Sequence, residues 1–182
     1  MNRFRRMSRR HFMVSAWAMV AAGCAWVPMR FGASLEGDEP RKPSAEPITP
    51  EELDELRTRI VESHNVFRTD AKLKTLTVNR KLTAAAQAHA EDMAARRKMS
   101  HIGRNGSRSA ERVKARGYRY FRTGENVAAG YFTVDRVMKG WMDSPGHKRN
   151  ILGGFSEIGV GCAVDEDGKR YWCVTFGLPS TH

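Results

Sequence analysis

An α+β fold is predicted for this chain by three observations. Several segments repeat apolar residues at three- and four-residue steps, the signature of half-buried helices. Two alternating apolar runs near the C-terminus bracket an Asp-Gly turn signal, which reads as a β-hairpin. The 182 residues, 41% of them apolar and 9% aromatic, suffice for one ordinary core behind a leader. Together they give about four helices and a hairpin, hence the α+β class.

Taken in order, Thr49-Pro50-Glu51-Glu52 is a capping box with proline at the first helical position. Leu53, Leu56, Ile60, His64 and Phe67 follow on one stripe, which places His64 inside as a packing residue. Asn79 caps a second helix whose inner side carries Leu82, Ala85, Ala86, His89, Ala90 and Met93, with His89 a satisfied core or boundary histidine. That helix runs out near Lys98, and His101 follows in a glycine-bearing loop, where a histidine is freer to face a cleft. A short helix over 110–116 is expected, with Gly117 as its cap. Gly124-Glu125-Asn126-Val127-Ala128 reads as a strand start with a kink at Gly124. Thr133 caps a helix that turns Val134, Val137, Met138 and Trp141 inward. Ser144-Pro145 then starts another short helix ending at Gly153-Gly154, with the Ser144 hydroxyl as N-cap and His147 in the first turn, where the helix dipole favours a neutral ring.

The first 48 residues read differently. Residues 1–24 form an export leader: Arg3, Arg5, Arg6, Arg9 and Arg10 precede an apolar run from Phe12 to Ala22. Ser8-Arg9-Arg10-His11-Phe12-Met13 resembles a twin-arginine signal, and Ala21-Ala22-Gly23-Cys24 resembles a lipobox that would acylate Cys24 and tether the chain to a membrane. Cleavage after Ala25 and an uncleaved anchor stand as alternatives. Residues 25–48 form a proline- and charge-rich linker, and 49–178 the folded domain. The net charge is +11; without the five leader arginines the remainder stays at about +6, which favours anionic partners. Ten basic residues and one acid lie between Arg96 and Arg122, as a solvated face or an anion-binding surface. Export argues against nucleic acid as the partner.

Cys162 and Cys173 flank the Asp167-Gly168 turn symmetrically, so a tight hairpin sets them opposite each other and a disulfide is expected in an oxidising compartment. Opposed cysteines bridge best at non-hydrogen-bonded pairs, a phase that a longer loop over Glu166 to Lys169 restores.

The segments His64-Asn65 with Arg68, Ser100-His101, Gly124-Glu125-Asn126, Trp141 to Leu152, Ile158-Gly159-Val160-Gly161 and Tyr171 to Gly177 resemble, in that order, the CAP superfamily of cysteine-rich secretory, antigen 5 and pathogenesis-related-1 proteins, also called SCP domains, and its short bacterial members above all. The resemblance implies a three-layer α-β-α sandwich around a small antiparallel sheet. It also implies a cleft lined by His101, Glu125 and His147. The family's second acid would fall at Ser144, with Asp143 one residue early as an outlying helper.

Two neutral imidazoles and a carboxylate can hold zinc or another divalent cation, with His101 and His147 as ligands. Glu125 can instead act as a general base or orient one ring. Ser144 lacks a nucleophile elbow. The resulting expectation is an exported, monomeric binding module in the periplasm, on the envelope or outside the cell, taking a lipid, a wall polymer or another anionic ligand. A metal-dependent hydrolase or peptidase using His101, Glu125 and His147 is the alternative.

Overall fold

The computed structural model describes residues 46–180; the leader, Cys24 and most of the linker lie outside them. The elements are α1 (Pro50–Asp70), β1 (Thr77–Val78), α2 (Arg80–Ala95), α3 (Ser109–Ala115), β2 (Tyr120–Ala129), α4 (Val134–Asp143), α5 (Pro145–Ile151), β3 (Glu157–Val164) and β4 (Arg170–Pro179). The caps are those the sequence specifies at Thr49, Asn79 and Thr133, whose side chains accept from first-turn amides. The sheet runs β1-β3-β4-β2. It is mixed rather than purely antiparallel, because the two-residue β1 pairs parallel with β3. No helix among the described residues is long and apolar enough to cross a membrane.

Two helical layers enclose this sheet. Leu56 and Ile60 of α1, Val137, Met138 and Trp141 of α4 and Ile151 of α5 bury against Ile158, Val160, Cys162, Trp172, Val174 and Phe176 on one face. Ala86, Ala90 and Met93 of α2 pack on Val127, Tyr171 and Cys173 on the other, and Val113 of α3 joins Leu82 and Tyr118 beside them. The α2 side is unusually close. A Cβ at Gly159 would stand 2.1 Å from the backbone of Leu82 and Thr83, and one at Gly161 would stand 2.4 Å from Gln87 N. The Gly-x-Gly spacing on a period-two strand thus puts both gaps under the same helix.

Beyond β1, the outer edge of β3 is stoppered by side chains. Arg57 Nε donates to Val160 O at 3.2 Å. The Gln87 amide donates to Cys162 O at 3.0 Å and accepts from Cys162 N at 3.1 Å, as a neighbouring strand would.

Two buried polar residues fasten the α1 layer. Arg68, 2% exposed, donates to the carbonyls of Lys74, Ile151, Gly153 and Phe155 at 2.8–3.0 Å and so ties the end of α1 to the α5–β3 connection. His64 donates through Nδ1 to Ile60 O at 2.7 Å, and its ring leans on Trp141 and Phe176. Burial holds its pKa near 4.

Three expectations are corrected. The strand carrying Glu125 begins at Tyr120, and its irregularity falls between Tyr120 and Arg122 rather than at Gly124. The second helix stops at Ala95, where Arg97 turns to positive φ. The Cys162–Cys173 disulfide is absent, and both thiols are free and buried. The hairpin register is one residue off the expected one, with Cys162 opposite Trp172 and Cys173 opposite Gly161. A one-residue shift sends the two side chains to opposite faces, Cys162 toward α1 and Cys173 toward α2. Burial pushes the Cys162 thiol up to about 12 and raises Cys173 as well.

Gly161→Ala is expected to cost about 3 kcal/mol in denaturant unfolding, because the obstructing atoms are helix backbone. Gly146→Ala, whose Cβ would meet nothing nearer than 3.9 Å, is expected to stay within about 0.5 kcal/mol of wild type. His64 gives a pH test. The unfolded chain takes up a proton near pH 6.5 that the folded chain refuses until about 4. Its contribution is therefore complete above 6.5 and is lost as pH falls through that window, by about 3 kcal/mol. His64→Phe should flatten that part of the acid limb when unfolding midpoints are compared at several pH values.

Candidate functional site

β2 is an outer strand of the sheet, and the candidate site lies on it where the two helical layers approach from opposite faces. Glu125 stands on the α2 side of β2, next in line to Val127. Asn126 faces the other way and meets α5: its Nδ2 donates to His147 O at 3.2 Å. Asn150 Nδ2 donates to Asn126 Oδ1 at 2.8 Å and to Glu125 O at 3.0 Å. Gly124 permits this approach, since a Cβ there would crowd Phe155 and Asn150 at 3.0–3.1 Å. The Gly-Glu-Asn triplet therefore has a separate duty at each position: clearance, charge and a clamp on α5.

His101, in the α2–α3 connection, lies 2.8 Å from Glu125 Oε1 through Nδ1. A carboxylate only accepts, so Nδ1 carries a proton. The imidazole is 56% exposed while the carboxyl is 4% exposed. Arg112, from α3, donates through Nη2 to Glu125 Oε2 at 2.5 Å. Its Nη1 is anchored on Ser107 O at 2.6 Å and His101 O at 3.2 Å. The Cys173 thiol approaches the same Oε2 from below at 3.6 Å. Burial alone would raise the Glu125 pKa, but the hydrogen bond from His101 and the charge of Arg112 outweigh it and hold the carboxyl below its usual range.

His147 lies near enough to His101 for that ring to disfavour its protonation, after burial, and its pKa is lowered. Its Nδ1 is buried without a hydrogen-bond partner. His101 thus meets Glu125 directly, and His147 lies within electrostatic reach of His101. His89 lies nearby, donating through Nε2 to Ser100 O at 2.8 Å; burial lowers its pKa.

The remaining candidates are not joined to this group. Asp143 is paired at 2.5 Å with Lys139 one turn back, both exposed to solvent. Ser144 occupies the N-cap of α5 without using its hydroxyl; its backbone oxygen accepts from Lys148 N instead. Arg112 is the site residue that the sequence reading missed. It is one of ten cations in a basic run, and nothing in spacing marks it off from Arg108 or Arg116. No group of three or more His, Cys, Asp or Glu side chains is arranged to hold a metal among the described residues, and both Glu125 oxygens are already committed. The donor set therefore does not fit a three-residue zinc site.

A groove of about 870 Å³ lies elsewhere, between α1 and α2 beside the stoppered edge of β3. Val61, Val78, Ala84, Ala88 and Val160 give it apolar walls, with Arg80 and Arg116 among the polar residues around it. None of the three cleft residues lines it.

The model of the cysteine-rich secretory protein family, CAP, matches residues 61–176. The chain belongs to the CAP family. This CAP chain is 34% identical over 113 residues to the uncharacterized protein YkwD of Bacillus subtilis, and 27% identical over 119 residues to the uncharacterized membrane protein YlbC of the same organism. Those matches span 62% and 65% of the chain but only 44% and 33% of the relatives. Its fold resembles an outer surface protein of Borrelia burgdorferi with a TM-score of 0.64 at 22% identity, covering 68% of this chain and 92% of that one. It also resembles an extracellular SCP-domain protein of Bacillus anthracis with a TM-score of 0.65 at 24% identity, covering 73% and 45%. Both likenesses agree with the three-layer CAP sandwich.

Replacing Glu125 with Gln leaves the nearly buried guanidinium of Arg112 without its counter-charge. Urea unfolding of Glu125→Gln is expected to show a loss of about 3 kcal/mol. The Arg112→Met/Glu125→Gln double variant should lose clearly less than the sum of the single variants.

Proposed function

We propose that this CAP chain is an exported binding module whose cleft at His101, Glu125 and His147 takes an anionic ligand, either a lipid head group or a phosphate-bearing wall polymer. The observation that carries the reading is the engagement of Glu125. With one oxygen held by His101 and the other by Arg112 and the Cys173 thiol, the carboxyl is held below its usual range and is poorly suited to drawing a proton from water. The group left facing solvent is the half-exposed imidazole of His101, which suits hydrogen bonding to a ligand. The basic run from Arg96 to Arg122 surrounds this loop and adds attraction for anions.

Export is supported by the arginine-rich, apolar leader and by the outer-surface and extracellular descriptions of the two structural neighbours. The hydrolase alternative draws no support from the cleft, since Asp143 and Ser144 are not joined to it and Glu125 is occupied.

Co-sedimentation of the purified chain with phosphatidylcholine vesicles, with vesicles containing phosphatidylglycerol, and with purified wall fragments tests the proposal. The expected result is retention on at least one anionic material, with His101→Ala and His147→Ala each weakening it by about tenfold, or about 1.4 kcal/mol. Indifference of the wild type to all of these materials, or unchanged retention of both variants, refutes it.

A further inference from the structure

Both oxygens of Glu125 are already engaged by donors. His101 Nδ1 lies 2.8 Å from Oε1 and Arg112 Nη2 lies 2.5 Å from Oε2. Arg112 is itself held by the carbonyls of Ser107 and His101, so it cannot swing aside without giving up both bonds. A divalent ion drawn to the two imidazoles would need a lone pair of Glu125, and would have to take it beside a fixed guanidinium. Like charges at that range repel strongly, and a dication feels twice the repulsion of a proton.

We infer that Arg112 is a positioning residue that supplies Glu125 with the positive charge a divalent metal would otherwise bring, and thereby keeps the His101/His147 cleft closed to zinc. One further observation fits this assignment. The Arg112 side chain, from α3, is 12% exposed, so solvent screens its pair with Glu125 little. The inference concerns the cation balance of the cleft and does not depend on which ligand the cleft takes.

Titration of the purified chain with zinc chloride alone, followed by calorimetry, separates this inference from the proposed function because no lipid or polymer is present. A neighbouring guanidinium lowers a carboxylate's affinity for a proton by roughly ten- to thousandfold, and at least about tenfold is expected for zinc. Arg112→Met should bind zinc at least about tenfold more tightly than wild type, and adding Glu125→Gln or His147→Ala to that variant should cancel the gain. Arg112→Lys, which keeps the charge, should refuse zinc as wild type does, an outcome that a purely structural loss would not give. Arg112→Gln replaces the methionine variant if the latter does not fold. Zinc binding by wild type that His147→Ala abolishes overturns the inference, and so does a neutral variant that folds without any gain in affinity.

Discussion

The cleft depends on a single buried negative charge. A carboxylate that is 4% exposed is tolerated only because it is satisfied on every side, and the groups that satisfy it come from three separate places in the chain. His101 comes from the connection after α2, Arg112 from α3 and the Cys173 thiol from the adjacent strand. Glu125 therefore acts as a fastener as much as a site residue. It draws the loop after α2 and the short α3 onto the edge of the sheet, while its neighbour Asn126 does the same for α5 on the opposite face. Alternation along one strand is enough to divide the work between two layers.

Most of the architecture was legible because it rests on local chemistry. Thr49, Asn79 and Thr133 cap helices for reasons contained within four residues, and the apolar stripes of α1, α2 and α4 mark their own inner faces. His64 reads as core because it falls on such a stripe, and burial beside Trp141 and Phe176 bears that out. β1 was not legible: two residues have no periodicity, and the strand is held by its pairing with β3 and by Asn65, which bonds both backbone groups of Leu76 just ahead of it.

The site divides along the same line. His101, Glu125 and His147 stand in motifs with distinctive neighbours, so the motifs together name them as candidates. Arg112 has no such setting. Its partners are 13 residues away on β2 and in two loop carbonyls, and only the packing of α3 selects it from the other cations. The cysteine pair failed for a comparable reason. Symmetry about the turn fixed the expected register, but the actual register is set by Asp165, whose side chain accepts from the amides of Asp167 and Lys169 and shapes a wider loop. One residue of phase, invisible in composition, decides whether two thiols meet or face away.

The sealed margin of β3 has a consequence for life at high local density. A bare strand margin invites the same strand of a neighbouring copy to zip onto it. Here Arg57 and Gln87 already fill the hydrogen-bonding positions at Val160 and Cys162, so a second copy finds nothing to pair with there. Two ordinary surface side chains thus do the work of a gatekeeper against clumping.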